Sequence, residues 1–306
     1  MIHRVTGPIE RTFLAADGDA VLLAPSPVAA SAYHALTPAP ALHEHVDRMH
    51  LGDERVAAEA AFDERVLPDG AVQLVFNFGD IPAIVGDRSA PPLAGDAMAV
   101  VGAACAAAVI RMAGHVQGAG VRLRPGGVAA VLGVPAGELA GRSLPLEALW
   151  GAAAHELLER LAGMPHGPRR MAVLERVLLQ RIRRAGAAPH AGAAEAVRRI
   201  RQAGGRITVR ELAATLGVGE RRLEQLFHQH VGLPPKAACR LARFHASVRL
   251  LRREPARRWS EIAHHAGFAD QPHLVHEFRA LAGLTPRDFR ARLGFGFPQD
   301  PAPSPR

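Results

Sequence analysis

Apolar residues recur at three- and four-residue spacing in two segments near the C-terminal end of the chain, and the two segments match in register. In each segment an apolar residue precedes a glycine, and a leucine and a phenylalanine follow it. These residues are Leu212, Leu223 and Phe227 in the first segment and Ile262, Leu274 and Phe278 in the second. Gly217 and Gly267 are 50 positions apart, whereas Phe227 and Phe278 are 51 apart, so the second copy contains one extra residue. A repeat of this length indicates a duplicated supersecondary unit.

The first copy contains signals for two short helices. Thr208-Val209-Arg210-Glu211 has the Ser/Thr-x-x-Glu form of a capping box, so we expect a helix to begin there. Gly217 stands where that helix should end, in a left-handed conformation that glycine adopts at low cost. A second helix is predicted from Glu220 to about His230. Helix, short glycine turn and helix form a helix-turn-helix unit, whose second helix enters the major groove of DNA.

The second copy repeats this arrangement. A helix is expected over Ser260–Ala266, Asp270 is placed as the N-cap of the next, and Thr285 caps a final helix. Between the copies, an apolar stripe predicts a helix from Pro235 to Arg252 that is about 25 Å long at 1.5 Å per residue. Such a spacer can hold two recognition helices near the ~34 Å repeat of successive major grooves, so one chain is predicted to read two adjacent groove segments.

Positive charge is concentrated in the same region. Of the 37 Lys and Arg residues, 20 lie from residue 190 onward, against 10 of the 29 Asp and Glu residues. A strongly basic compact segment indicates a polyanionic partner, most often nucleic acid. The two cysteines, Cys105 and Cys239, form neither a disulfide framework nor a metal-ligand spacing, which is typical of a reducing cytoplasm.

The first 124 residues contain short β-branched runs separated by glycine, proline and aspartate, and these predict a sandwich or barrel. The predicted strands are Val21–Ala24, Val72–Phe78, Ile81–Val85, Ala99–Val101, Ala107–Met112 and Val116–Leu123. From Arg124 onward, apolar residues recur every three or four positions, which indicates helices. The predicted connector helices are Val128–Leu132, Leu146–Leu161 and Pro168–Arg184, followed by a flexible linker over Ala185–Gly192.

These patterns predict an α+β fold with four parts. Residues 1–124 form a β-rich, barrel- or sandwich-like sensor domain, and residues 125–188 form a helical connector. Residues 189–294 form an all-α domain of two helix-turn-helix units, and residues 295–306 form a disordered tail. One connector helix carries an apolar stripe that is typical of a core and less often of a dimer seam, so a homodimer is a second expectation: Met171, Leu174, Val177, Leu178 and Ile182.

Several motifs of the repeat match one known family. They are Glu211-Leu212-Ala213-Ala214-Thr215-Leu216-Gly217-Val218, Val231-Gly232-Leu233-Pro234-Pro235 and Gly267-Phe268-Ala269-Asp270-Gln271-Pro272-His273-Leu274, with Gly283-Leu284-Thr285-Pro286. Residues 195–293 resemble the DNA-binding domain of AraC-type transcriptional regulators. The resemblance implies a seven-helix domain that binds double-stranded DNA with both units on one face.

The resemblance also implies base contacts from the N-terminal halves of the two recognition helices: Arg221, Glu224, Gln225, Gln271, His273 and His276. Arg222 and His228 are expected on the same exposed face. Arginine can pair with guanine, and glutamine with adenine. Phosphate contacts are predicted for a further set: Thr208, Arg243, Arg249, Arg279 and Thr285. The family often has arginine where Gln225 and His276 stand and serine where Ala269 stands, so operator preference cannot be carried across.

The front region resembles the N-terminal domain of a subset of the same regulators, through Leu67-Pro68-Asp69-Gly70 and Gly120-Val121-Arg122-Leu123-Arg124-Pro125. This resemblance implies a small β-rich domain that binds an unidentified small-molecule effector. The predicted pocket residues are Phe76, Phe78, Arg122 and Arg124. The chain is therefore interpreted as a cytoplasmic, one-component transcription regulator that is an activator or a repressor, with RNA polymerase as a partner if it activates.

Single features of the sequence also suggest other functions. Cys105 could belong to an alkyl-acceptor repair module fused to the DNA-binding part, and a nucleoid-type binder would need no effector. The His43-x-His45 pair with His50 invites a metal site, but no third ligand stands out, so neither a metal nor a cofactor is predicted. We find no catalytic constellation and predict that the chain is not an enzyme. Ala97–Ile110, the longest weakly polar run, is too short to span a bilayer, so no membrane association is expected.

Overall fold

The computed structural model describes residues 10–16, 19–22, 31–85, 97–165, 167–186 and 188–293. The predicted disordered tail at 295–306, and Leu23 and Ala24 of the first predicted strand, lie outside these residues.

The front part of the described chain consists of two β-sheets. The strands are β1 Glu10–Ala16, β2 Asp19–Leu22, β3 Ser31–Leu36, β4 Val46–Val56, β5 Phe62–Val66, β6 Gln73–Asn77, β7 Ala83–Ile84, β8 Met98–Val101, β9 Ala108–Met112, β10 Gly114–Leu123 and β11 Ser143–Pro145. One sheet has the order β2-β1-β5-β9-β7 and the other β11-β8-β6-β10-β4-β3. Pairing among these strands is antiparallel except between β1 and β5. The described strands thus form the sandwich-like alternative of the prediction and not a closed barrel.

The two faces of the larger sheet have different environments because side chains alternate along a strand. In β6, Leu74 and Phe76 are fully buried in the main core of the protein. Gln73, Val75 and Asn77, on the other face, line a cavity enclosed by the two sheets. One face of this sheet therefore joins the helical part of the molecule, and the other borders the cavity.

Helices follow the second sheet. They are α1 Val128–Leu132, α2 Glu147–Trp150, α3 Ala152–Ala162, α4 Pro168–Ala185, α5 Ala191–Gln202, α6 Val209–Thr215, α7 Glu220–His230, α8 Pro235–Arg253, α9 Trp259–Ala266, α10 Gln271–Ala282 and α11 Pro286–Leu293. Short 3-10 helices occur at Pro40–Leu42, Ala58–Ala60 and Ala136–Leu139. In the described residues, α5 to α11 provide the seven helices that the resemblance implies. None of the described helices has the length and apolar character needed to cross a membrane.

Two sequence predictions in the connector need correction. The single helix predicted over Leu146–Leu161 is two helices, because Gly151 between them has φ 57° and ψ −140°, which interrupts helical geometry. Ser143–Pro145, within the predicted helical connector, is instead an edge strand that pairs with β8. The apolar stripe of α4 lies in the core of the same chain, since Met171, Leu174 and Leu178 are buried.

The spacer helix α8 contacts three parts of the molecule. Cys239 and Ala242 belong to the core of the first helix-turn-helix unit. Phe244 packs edge-on against Phe278 of the second unit, with ring centroids 5.0 Å apart. Leu241 and His245 face the β-rich domain, as described below. Because α8 is covered on several sides, it fixes both units relative to each other and to the front domain.

Candidate nucleic-acid interface and ligand cavity

The first helix-turn-helix unit has the predicted boundaries. Glu211 N donates to Thr208 Oγ1 at 3.1 Å, and Thr208 N donates to the Glu211 carboxylate at 2.8 Å, so the capping box is formed. The hydrogen bond from the Thr208 backbone is also the main reason that the pKa of Glu211 is lowered. Gly217 follows with φ 67°, in the left-handed region where glycine is favoured. The turn therefore directs α7 away from α6 as expected for this motif.

One side of α7 is buried and the other is exposed. Leu223, Leu226 and Phe227 lie in the core of the first unit. The predicted base-reading residues of this helix are all exposed: Arg221, Arg222, Glu224, Gln225 and His228. This face carries two guanidinium groups and one amide, which are the donors that read base edges in the major groove.

In the second unit, α10 presents a smaller set of exposed polar groups. Asp270 caps the helix by accepting a hydrogen bond from His273 N at 2.7 Å. Gln271, His276 and Arg279 are exposed. The His273 ring is half-buried, and its Nδ1 accepts a weak hydrogen bond from Ala269 N at 3.4 Å. The base-reading roles of these residues stay predictions.

The predicted phosphate contacts lie in different environments. Arg279 is exposed, and Thr208 and Thr285 serve as helix caps, Thr285 by accepting from Asp288 N at 3.1 Å. Arg243 donates from Nη1 to the Gly205 carbonyl at 2.8 Å. Arg249 lines a small pocket between the domains. Of the arginines in this set, Arg279 has the environment best suited to a phosphate contact.

The front half of the chain contacts the C-terminal ends of both recognition helices. Gly126 N donates to the carbonyl of His230, the last residue of α7, at 2.9 Å. Arg65 Nη1, from β5, donates to the carbonyl of Ala282, the last residue of α10, at 3.0 Å. Carbonyls at a helix end lack intrahelical partners, so these donors satisfy them. The predicted base readers that remain exposed nearer the N-terminal ends are Arg221, Arg222, Glu224, Gln225, Gln271 and His276.

The connector also packs along the end of α7. A Cβ placed at Gly137 would lie 2.4 Å from the His228 ring, so the connector closely approaches this side chain. The rings of His190 and His230 stack with centroids 4.7 Å apart. Burial and the neighbouring His190 and Arg222 lower the pKa of His230. The sequence carried no local signal for these contacts, because they join residues distant along the chain.

A turn at residues 67–71 joins the β-rich domain to α8. His245 Nε2 donates to the carbonyl of Pro68 at 2.9 Å. A Cβ at Gly70, which has φ 69°, would approach Leu241 to 2.7 Å. Leu67, Pro68 and Ala71 of the same turn line the cavity between the sheets. The turn is therefore in contact with the cavity on one side and with the DNA-binding domain on the other.

The cavity between the sheets has a volume of about 270 Å³, slightly below the ~300–1,000 Å³ typical of small-molecule sites. Small residues supply much of its lining: Gly52, Ala99, Gly102, Ala104, Ala106, Ala108 and Gly118. A Cβ at Gly52 would meet no atom within 4 Å, so this strand position opens directly onto free space. Ile81, which is 41% exposed, forms part of an apolar rim.

The four predicted effector residues lie in different places relative to this cavity, and their effector-binding roles stay predictions. Phe76 borders the cavity, although the Phe76 side chain packs in the main core, whereas Phe78 lies under the Arg170 guanidinium, which is 4.0 Å from its ring centroid. Arg122 and Arg124 line the small pocket between the domains instead. Sequence alternation could not show which face of a strand meets a cavity and which meets a core.

Arg122 has a structural role in its buried position. Its Nε donates to Asp69 at 2.8 Å, and Nη1 pairs with Asp47. Burial of Asp47 opposes ionisation, but Arg122 and Arg124 outweigh it and lower the pKa of that carboxyl. Asp69 also accepts from Gln73 Nε2 at 3.0 Å. The network fixes the turn at residues 67–71 against β6 and β10.

The alternative chemistries find little support in the geometry. Burial raises the pKa of the Cys105 thiol, which disfavours the thiolate that an alkyl acceptor needs. His43 and His45 lie in a turn rather than on a strand, with His43 exposed and His45 buried, so they do not share a face. Among the described residues there is no group of three or more His, Cys, Asp or Glu side chains placed to hold a metal ion.

Two protein families match the chain. A helix-turn-helix domain family of the AraC type matches residues 212–292, and a domain of unknown function, DUF6597, matches residues 34–145. No curated protein sequence gives a significant match.

Solved structures that resemble the chain include apo ToxT from Vibrio cholerae, in a variant with one lysine replaced by alanine. It has 9% identity over 80% of this chain and 97% of that chain, with a TM-score of 0.40. ToxT bound to (E)-4-(8-methylnaphthalen-1-yl)but-3-enoic acid is 8% identical. The match covers 86% of this chain and 98% of ToxT, with a TM-score of 0.41. A transcriptional regulator with an AraC-type DNA-binding domain from Chromobacterium violaceum is 24% identical. The match covers 34% of this chain and 97% of that protein, with a TM-score of 0.30. With two helix-turn-helix units in the described C-terminal region and a family match across both, this part of the chain is an AraC-type helix-turn-helix domain.

Proposed function

We propose that the chain binds specific DNA sequences through both helix-turn-helix units and that a small molecule in the front domain controls this binding. The observation that carries the proposal is the exposure of polar residues on α7 and α10, in a domain with an excess of basic residues. Such faces read base edges, while the surrounding arginines supply affinity for phosphate. This function requires no catalytic step.

The two units are proposed to contribute unequally. Arg221 and Arg222 on α7 offer guanidinium forks for guanine, and Gln225 offers an amide for adenine. The second unit relies on Gln271 and His276 as its exposed readers, and neither of them offers a guanidinium fork. We therefore expect the first unit to supply the larger share of the binding free energy.

Control by the small molecule is proposed to pass through the turn at residues 67–71. A ligand in the cavity would contact Leu67 and Ala71, and the turn contacts Leu241 and His245 on α8. Because α8 also packs against both units, a shift of the turn would change their relative placement. A ligand acts in this way only if it binds the two arrangements with different affinity.

The function is tested by selecting preferred sequences from a random DNA pool and measuring affinity by fluorescence anisotropy. Arg221→Ala should weaken binding to the selected site by about 1–3 kcal/mol and relax preference at one base pair. Arg279→Ala is the matched control. It should weaken binding to all DNA sequences alike and make the affinity depend less on salt concentration. Equal affinity for selected and random DNA would contradict the proposal.

A further inference from the structure

The cavity of the front domain has an acidic wall. Glu54 on β4 and Glu64 on β5 line it from opposite sheets, and both are buried, with 7% and 8% of their surface exposed. The other polar side chains lining it are His50, Asp69, Gln73 and Asn77. Neither lysine nor arginine occurs in the described lining.

The other ionisable groups that line the cavity add no positive charge to it. Asp69 is already paired with Arg122 at 2.8 Å. The ring of His50 lies against Gly120, where a Cβ would come within 1.9 Å of it. Burial, together with the nearby Arg48, lowers the pKa of His50 to about 4. The imidazole is therefore neutral at neutral pH and adds no positive charge to the cavity.

We propose that the effector is an apolar organic cation, of the amine or amidine class, whose charged nitrogen faces Glu54 and Glu64. The inference rests on the proposed function, in which this cavity holds the effector. Both carboxylates already interact with neighbouring residues. An ionised carboxylate has about four lone-pair sites, so each can accept a ligand N–H in addition. Within low-dielectric walls an anionic ligand would be repelled and a cationic one attracted.

The apolar lining determines the rest of the ligand. Val66, Val75, Val101, Ile110 and Val116 surround the cavity, together with the glycine and alanine positions already described. The volume of about 270 Å³ is many times the ~10–15 Å³ that a single water needs. A compact hydrocarbon body with one charged end fits this space, with the exposed apolar rim at Ile81 as the side open to solvent.

Three probes with one skeleton and different end groups test the proposal: 4-phenylbutylamine, 4-phenylbutan-1-ol and 4-phenylbutyrate. Binding to the full chain is measured by isothermal titration calorimetry at pH 7.5. The amine should bind at least about tenfold more tightly than the acid, since a tenfold ratio corresponds to about 1.4 kcal/mol. Glu54→Gln and Glu64→Gln should each weaken amine binding severalfold and leave the alcohol unchanged. Glu59→Gln, at an exposed site in the same domain, is the control.

Gly52→Leu locates the binding site, because its side chain would extend into the open space of the cavity. It should abolish binding of all three probes. The proposal is overturned if the acid binds as tightly as the amine or if no probe binds. It is also overturned if amine affinity is unchanged in Glu54→Gln, Glu64→Gln and Gly52→Leu. DNA affinity without probe is measured in parallel. If the chain binds the amine but not DNA, the proposed function is wrong and the proposed ligand class is still supported.

Discussion

His245 on the spacer helix α8 donates a hydrogen bond from Nε2 to the carbonyl oxygen of Pro68, at 2.9 Å, and the residue is buried. These residues are 177 positions apart in the sequence. Pro68 also lines the cavity between the two sheets. A single buried hydrogen bond thus links the cavity wall of the front domain to the helix that holds both helix-turn-helix units.

His245→Phe should destabilise the chain by about 1–3 kcal/mol, because the Pro68 carbonyl would stay buried without this donor. The substitution retains an aromatic ring of similar size. Urea denaturation measures the change in the free energy of unfolding. His264→Phe, at an exposed position on α9, is the control and should change it little. Equal effects of the two substitutions would show that the hydrogen bond does not matter.

Filling the cavity should change DNA affinity through the same contact. Gly52→Leu occupies space next to the cavity wall and is predicted to alter DNA affinity by at least about fivefold, the lower end of typical allosteric coupling. In the His245→Phe background the effect of Gly52→Leu should largely disappear. Fluorescence anisotropy of the four proteins in a double-mutant cycle gives the coupling energy. Additive effects would mean that the signal takes another route.

Arg65 should restrain the end of the second recognition helix. Arg65→Gln shortens the side chain and removes its hydrogen bond to the Ala282 carbonyl, a charged contact worth about 1.5–3 kcal/mol. Hydrogen exchange of Gly283 and Leu284 is predicted to accelerate by on the order of tenfold or more, with α6 and α7 unchanged. Arg55→Gln, exposed on β4, should leave all these rates unchanged.

His50 should make stability fall in mild acid. Burial lowers its pKa in the folded chain to about 4, from an ordinary value of 6.5. The unfolded chain therefore binds a proton below pH 6.5 that the folded chain does not bind until about pH 4. Stability from this group is complete above pH 6.5 and declines as the pH falls, by about 2 kcal/mol at pH 5.

Urea denaturation at pH 7.5 and pH 5 tests this, with His50→Gln expected to remove that part of the decline. His155→Gln, exposed on α3, should retain it. An identical pH dependence in wild type and His50→Gln would show that His50 is not held neutral by burial.

The DNA-binding domain was predictable from sequence because its signals are local. The capping box at Thr208, the N-cap at Asp270 and the turn glycines Gly217 and Gly267 each act within a few residues. Apolar spacing then assigned the buried faces of α7 and α10 correctly. The predicted span of the spacer, Pro235–Arg252, differs from the observed helix by one residue.

The front domain was harder to predict because its strands contain buried polar residues. In β4 the buried positions include Arg48 and Glu54, and β5 includes buried Glu64, so neither strand shows clean alternation of apolar and polar residues. The cavity depends on small residues from several strands, which are adjacent only after the sheets form. The hydrogen bond from His245 to Pro68 depends in the same way on tertiary placement.

The most direct test of two-unit DNA reading is to insert five base pairs between the two half-sites of a selected DNA. α8 and its packing hold the units in a fixed relation, so the half-sites must lie about one helical turn apart on one face. The insertion rotates one half-site by roughly half a turn of the ~10.5 base-pair helix. If one chain reads both segments, affinity should fall to that of a single half-site. Unchanged affinity would contradict two-unit reading, because a single chain could not then be reading both segments.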